Sequence, residues 1–355
     1  MLRNRSLRVL LASALSALAL AGCGSSDTSD GGATAADPTV SSSGDAADSA
    51  FPVTIKHAFG ETTIESKPER VATVAWANHE VPLALDIVPV GMTKVTWGDD
   101  DDNGVLPWVE DKLKELGADT PALFDETDGI PFEQVADTKP DVILAAYSGL
   151  TQEDYDTLSK IAPVIAQPGV AWATSMDDMI RMDSEALGLK TEGEELITSL
   201  DDKIDATIAK YPALSGKKIL FTYIDPKDLS QVGFYTLHDT RPGFLVEHGF
   251  PTPKIVEEKS AGTDEFYVTV SAENAEAFDD VDVFVTYGDP DGSSIVDTAQ
   301  ADPLLSKIPA VAKGAIAVLP DSTPLSASAN PSPLSIDWAL DDYFALLADA
   351  AAKSQ

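Results

Sequence analysis

Aromatic rings and a single guanidinium carry most of the chemistry that this chain offers. Trp76, Tyr147, Tyr223 and Tyr287 each close a short apolar run, Trp97 follows another, and Tyr235 stands six residues before Arg241. Rings bring large apolar faces with a polar edge, which suits holding a ligand more than transforming one. Beyond the first eight residues the only arginines are Arg70, Arg181 and Arg241. Arg70 precedes an apolar run, at the end remote from a binding edge, and Arg181 falls in a helical stretch. Arg241, in Tyr235-Thr-Leu-His-Asp-Thr-Arg-Pro-Gly, opens a helix and is placed either to meet an acidic ligand oxygen or to pair with a neighbouring carboxylate. Asp99, Asp101, Asn103, Gly104 and Glu110 have the spacing of a calcium loop, but Pro89, Gly91, Val95 and Gly98 argue against the entering helix that such a loop needs. A solvated acidic loop leading into a helix is the better reading.

Catalytic patterns are missing. His79-Glu80 is followed by Val81, Pro82 and Leu83, so no His-Glu-x-x-His pair forms, and neither Gly-x-Ser-x-Gly nor a phosphate-binding Gly-rich loop occurs. The four histidines (His57, His79, His238, His248) are scattered and Cys23 is the only cysteine, which excludes an internal disulfide and a Cys-based metal cluster. No catalytic residue, resident metal or cofactor is expected. The chain has 355 residues, 44% of them hydrophobic, and a formal charge of -35. That length supports a real core in one large or two mid-sized domains. That charge excludes nucleic acid and peripheral docking on anionic lipid, which both need a basic surface.

The first residues read as an address. Arg3, Arg5 and Arg8 precede the apolar run Val9 to Leu20, the profile of an export signal and too short to span a bilayer comfortably. Its end, Leu20-Ala21-Gly22-Cys23, resembles the bacterial lipoprotein signal, in which the cysteine becomes the lipid-bearing first residue. Loss of 1–22 leaves 21 basic against 59 acidic residues, a formal -38. Residues 23–50 read as a flexible tether, with Val40 the only sizeable apolar side chain after Cys23. By the square-root law such a coil reaches roughly 30 Å. The expected setting is extracytoplasmic, attached to the membrane through the lipid alone.

The elements that must position the rings form an α/β body. Apolar runs without polar alternation, at Val71–Trp76, Val88–Met92, Asp141–Tyr147, Lys218–Ile224, Val281–Tyr287 and Ala315–Leu319, suit strands of parallel sheets covered on both faces. Helical stretches alternate with them, and a small hairpin precedes them from Val53. Pro131 to Gly149 and Ser271 to Asp289 repeat one order of short helix, turn, strand and aromatic. The body therefore divides into an N-terminal lobe (51–174), a helical segment (175–211) and a C-terminal lobe (212–355). In that segment Leu196, Ile197, Leu200, Ile204 and Ile208 fall at helical spacing. Ligands of open α/β sheets bind beyond the carboxyl ends of the strands, where these rings lie. Two facing lobes would enclose a ring-lined cleft holding Trp76, Trp97, Tyr147, Tyr223, Tyr235, Arg241 and Tyr287.

The body resembles the lipid-anchored substrate-binding proteins of bacterial ABC importers for ferric siderophores. The residues that carry the resemblance are Val53 to Gly60, Lys67-Pro-Glu-Arg-Val-Ala-Thr, Val88-Pro-Val-Gly-Met, Pro131 to Ala145, Leu158-Ser-Lys-Ile-Ala-Pro-Val and Gly243-Phe-Leu-Val-Glu-His-Gly-Phe. It implies two Rossmann-like lobes joined by a long helix, with limited closure, and a monomer that captures an Fe(III)-siderophore. It also implies that one glutamate per lobe, Glu133 and Glu247, docks on the membrane permease. Cobalamin and haem are the alternative ligands of that family. Scarcity of arginine departs from binders of highly anionic catecholate complexes and favours a neutral hydroxamate-type or mixed ligand. A surface-anchored hydrolase is the alternative from another class, separated by turnover of any substrate.

Overall fold

A computed structural model describes residues 50–289 and 293–354. The expected signal, the tether up to residue 49 and Cys23 lie outside them. Among the described residues no helix is long and apolar enough to cross a membrane.

The chain opens with an antiparallel hairpin, β1 (Val53–His57) and β2 (Gly60–Ile64), in register from Val53 opposite Ile64 to His57 opposite Gly60. Gly60 closes the turn at φ +125, a conformation that L side chains rarely adopt. Alternation buries Ile55, His57, Thr62 and Ile64 on one face.

The N-terminal lobe is built on β3 (Val71–Thr73), β4 (Gly91–Thr93), β5 (Ala122–Phe124), β6 (Val142–Ala145) and β7 (Val164–Ala166), all parallel in the order β5-β4-β3-β6-β7. Its helices are α1 (Glu80–Ala84), α2 (Pro107–Glu115), α3 (Phe132–Asp137) and α4 (Gln152–Leu158). The interlobe segment holds α5 (Met176–Ala186) and the 19-residue α6 (Lys190–Ile208), turned on Gly188 at φ +71. The helices meet closely: a Cβ on Gly193 would lie 2.0 Å from the Ser184 hydroxyl. The apolar stripe of α6 buries Ile197, Leu200 and Ile204, with Leu196 and Ile208 partly buried.

The C-terminal lobe contains β8 (Ile219–Tyr223), β9 (Gln231–Tyr235), β10 (Tyr267–Ser271), β11 (Val283–Gly288) and β12 (Ile316–Pro320) in the order β10-β9-β8-β11-β12. This order repeats that of the first lobe strand for strand, as the echoed stretches implied. The direction does not. β9 runs antiparallel to both β8 and β10, while β8, β11 and β12, the strands read from the apolar runs, are parallel as expected. The reason is local: only a short loop, 224–230, separates β8 from β9, too little for a crossover helix. Among the described residues six α-helices complete the lobe: α7 (Thr240–Glu247), α8 (Lys254–Ser260), α9 (Ser293–Ala301), α10 (Pro309–Ala312), α11 (Pro324–Ser328) and α12 (Ser335–Lys353).

One apolar cluster runs through both lobes, joining Val142 and Tyr147 to Ile180 and Ile204 of the interlobe helices and to Phe221, Val285 and Phe344. The terminal α12 packs beside α6, with ion pairs Lys203–Asp337 at 2.6 Å and Lys210–Asp341 at 2.8 Å at the surface. The segment before α12 also departs from the expected lobe boundary. Ala327 and Leu334 belong with Leu83, Met92, Val109 and Trp108 of the first lobe. Glu80, fully buried, fastens this crossing: its carboxylate accepts from Trp108 Nε1 at 2.7 Å and from the Leu334 N–H at 2.9 Å.

Candidate functional site

The first-lobe rings stand on a constrained turn. After β3 the backbone passes through Ala75 and Ala77 at φ +62 and +63, a strained region for residues with a Cβ. Both oxygens of Glu126 accept the Ala75 N–H, at 3.1 and 3.0 Å, and Thr93 Oγ1 lies 2.8 Å from that carboxylate. Burial raises the Glu126 carboxyl above its ordinary range, opposed by the Thr93 and Ala75 hydrogen bonds. Asn78, wholly buried, donates to the Val74 and Tyr147 carbonyls at 2.8 and 2.9 Å and accepts from the Tyr147 N–H at 3.0 Å. One amide thus locks the ends of β3 and β6 together and sets Trp76 and Tyr147 relative to each other.

Tyr147 reaches the second lobe. Its hydroxyl lies 3.3 Å from Thr240 Oγ1 and accepts from Asn330 Nδ2 at 3.1 Å. Trp172 stands edge-on to the Tyr147 ring, 5.5 Å between centroids, on the bare backbone of Gly149. Sequence reasoning misses Trp172, because the three-residue strand before it, β7, is not legible in the sequence; the Gly149 spacing becomes meaningful only once the two are seen in contact.

In the second lobe Tyr235 contacts Phe221 and Tyr267 edge-on, at 5.7 and 5.1 Å. Arg241 lies among these rings, its guanidinium carbon 3.8 Å from the Tyr235 centroid and 5.7 Å from that of Phe221. Asp239 caps α7 and grips the same guanidinium from both oxygens, accepting from Nε at 2.8 Å and from Nη2 at 2.7 Å. Arg241 Nη1 donates to the Tyr287 hydroxyl at 3.1 Å. Burial pushes the Tyr287 phenol up to about 12, against the opposing pull of Arg241. Trp97 closes the set from the first lobe, edge-on to Tyr287 at 5.6 Å.

The structure therefore brings Trp97, Tyr235, Arg241 and Tyr287 into one connected group, with Tyr147 linked through Thr240. Tyr223 projects nearby as an exposed ring at the end of β8. Trp76 is half-buried and packs in the same clusters as Trp97 without a ring contact to the group. Sequence reasoning also misses Asp239, one acid among 59.

The two glutamates fall on short helices in separate lobes. Glu133 is exposed on α3. Glu247 ends α7 beside a depression of about 520 Å³ lined by Asp177, Asp178, Asp201 and Asp205, with Arg181 and His248. Loss of solvent, then the charges of Asp177, Asp178 and Asp201, push its carboxyl up to about 7. Its side chain keeps an exposed edge, so this crowding carries little stability cost. A larger depression of about 670 Å³ runs along α6 from Thr191 to Ala206 and carries no ring.

The acidic loop after β4 is entered by no helix. Asp99 accepts the Gly104 N–H at 2.6 Å and Asp101 accepts the Asn103 N–H at 3.2 Å, so these carboxylates cap their own turns before α2. His79 is buried, and desolvation pushes its imidazole down to about 4. It remains neutral packing at the start of α1.

Known proteins share this architecture. Residues 71–323 match the family described as "Periplasmic binding protein". Streptococcus pneumoniae TIGR4 PiaA, solved in complex with ferrichrome, is 47% identical, with a TM-score of 0.81 over 85% of this chain and all of that one. A probable siderophore-binding lipoprotein of Bacillus subtilis (strain 168), YfiY, is 29% identical over 66% of this chain and 67% of its own. A periplasmic solute-binding protein of Mycobacterium smegmatis is 28% identical, with a TM-score of 0.67 over 84% of this chain and 98% of its own. Two lobes on a shared core, facing strand ends and a matched span of some seven-tenths of the sequence place this chain in the periplasmic binding protein family.

Proposed function

We propose that this chain captures a ferric siderophore outside the cytoplasm and delivers it to an ABC permease. The observation that carries the reading is the group of Trp97, Tyr235, Arg241 and Tyr287 between the lobes, in a chain 47% identical to a ferrichrome-bound protein. Rings supply apolar faces for a bulky ligand, and the guanidinium and phenols supply donors for its oxygens. An iron complex of three hydroxamates is uncharged, because each deprotonated hydroxamate cancels one of the metal's charges. A chain with a formal charge of -35 tolerates such a ligand better than a polyanion.

The same reading makes Cys23 the lipid-bearing first residue of the exported protein, and Glu133 and Glu247 the contacts to the permease. It assigns no turnover to the site. Titration with ferrichrome, followed by tryptophan fluorescence and by native mass spectrometry, tests it. The expected result is a one-to-one complex with quenched emission, because ferric complexes absorb where indoles emit. Binding of cobalamin or haem in place of ferrichrome overturns it.

A further inference from the structure

We propose that Asp239 sets the charge selectivity of the cleft, by cancelling the one arginine that stands among its rings within the described residues, so that uncharged iron complexes are taken and anionic ones refused. The inference rests on the siderophore reading above. Of the three arginines within the described residues, Arg70 is spent on the Thr138 and Lys139 carbonyls and Arg181 on Asp177, Asp178 and Glu194. Only Arg241 stands among Tyr235, Phe221 and Tyr287. A free guanidinium there would attract carboxylate and catecholate ligands strongly, since such charge-assisted pairs are about twice as strong as neutral hydrogen bonds.

Asp239 removes that attraction. Its side chain is 3% exposed and that of Arg241 17%, so their ion pair is shielded from solvent. Both carboxylate oxygens are engaged, Oδ1 by Arg241 Nε and by the Arg241 backbone N–H at 2.9 Å, and Oδ2 by Nη2. A guanidinium has five N–H donors. Asp239 takes two of them and the Tyr287 hydroxyl one, leaving one on each terminal nitrogen. The pair therefore offers hydrogen bonds without net charge. An uncharged oxygen acceptor gains from that; a polyanion meets no net positive charge to offset its desolvation.

The test compares ferrichrome with the iron complex of a tris-catecholate, whose doubly deprotonated ligands leave a net charge of minus three. Dissociation constants for both are measured on the wild type, Asp239→Asn, Arg241→Gln and the double variant. Asparagine preserves the helix cap, and thermal melts report folding. The expected result is that Asp239→Asn narrows the ferrichrome preference at least tenfold, chiefly through tighter catecholate binding. Adding Arg241→Gln should abolish that gain. Should Asp239→Asn fold poorly, Arg241→Gln against the double variant reads the same carboxylate charge, and the single variant should refuse the anion more strongly. An unchanged preference in either background overturns the role of Asp239 while leaving ferrichrome binding intact. A wild type that binds neither complex overturns the siderophore reading and this proposal together.

Discussion

Gly149 shows how one missing atom shapes the cleft. A Cβ there would lie 2.2 Å from Trp172 Nε1 and 2.7 Å from the adjoining ring carbon. Trp172 is held at φ +61, with its N–H donating to the Ser148 carbonyl at 2.9 Å, so its main chain is not free to withdraw. Gly149→Ala must therefore swing the ring and disturb its edge contact with Tyr147. An aromatic pair of this kind contributes about 0.5–1.5 kcal/mol beyond burial. Overpacking adds about 1–3 kcal/mol. We expect ferrichrome affinity to fall about tenfold while the fold survives, read by titration beside a thermal melt. Affinity equal to wild type would show that Trp172 does not contribute to holding the ligand.

At the scale of elements, α1 and the segment before α12 are joined by a buried carboxylate whose energetics depend on pH. Burial raises Glu80 to about 7, opposed by hydrogen bonds from Trp108, Ser332, Leu334 and Ser335. Its unfolded value is near 4.5. The folded protein thus retains a proton between these values that the unfolded chain has lost, and this contribution to stability declines as pH rises from about 4.5 to about 7. The total decline is about 3 kcal/mol. Asp183, buried on α5 with neither oxygen hydrogen-bonded, is raised by desolvation and acts in the same direction. His79 acts oppositely, losing stability as pH falls below about 6.5. Glu80→Gln should flatten the decline and leave the variant relatively more stable at pH 8 than at pH 5, measured by urea unfolding across that range. A parallel pH profile for both proteins would place the charge elsewhere.

Elements also explain what was legible beforehand. Val142-Ile-Leu-Ala and Ile219-Leu-Phe-Thr declare themselves because a strand covered on both faces needs unbroken apolar side chains. β5 and β7 span three residues each, bounded by Pro121 and Asp125 and by Pro163 and Gln167, whereas the equally short β3 and β4 overlap the longer apolar runs Val71–Trp76 and Val88–Met92. β9 is interrupted by Gly233, a poor strand former in isolation. The glycine is there because the Tyr267 hydroxyl lies across it, 1.7 Å from where a Cβ would stand. Strand-end rings pointed to the cleft because strand ends are where α/β sheets present side chains. Asp239 and Trp172 stayed hidden because their roles exist only through partners brought by the fold.

The whole molecule adds a delivery problem to the binding one. Glu133 and Glu247 stand on different lobes at the ends of short helices, and if they face the permease and not the ligand, removing both should leave ferrichrome affinity unchanged. If each meets a cation on the permease, losing one partner of a desolvated pair costs about 2–5 kcal/mol. Uptake by cells carrying Glu133→Ala and Glu247→Ala should then fall further than with either change alone. Because burial and the neighbouring aspartates push the Glu247 carboxyl up to about 7, uptake should weaken on acidification from pH 8 to pH 6, and less so in Glu247→Gln. Normal iron-limited growth of the double variant would remove the docking role.

The crossing of Ala327 and Leu334 into the first lobe bears on how the molecule comes into being. A chain that leaves a ribosome or a membrane pore starting from its amino end presents residues 51–174 early, yet their core is still missing two late-arriving side chains. Glu80 likewise waits, buried-to-be but without the Leu334 N–H. Domains that are complete in sequence fold as they emerge. Here the first lobe reaches its final packing only once nearly the entire chain is present.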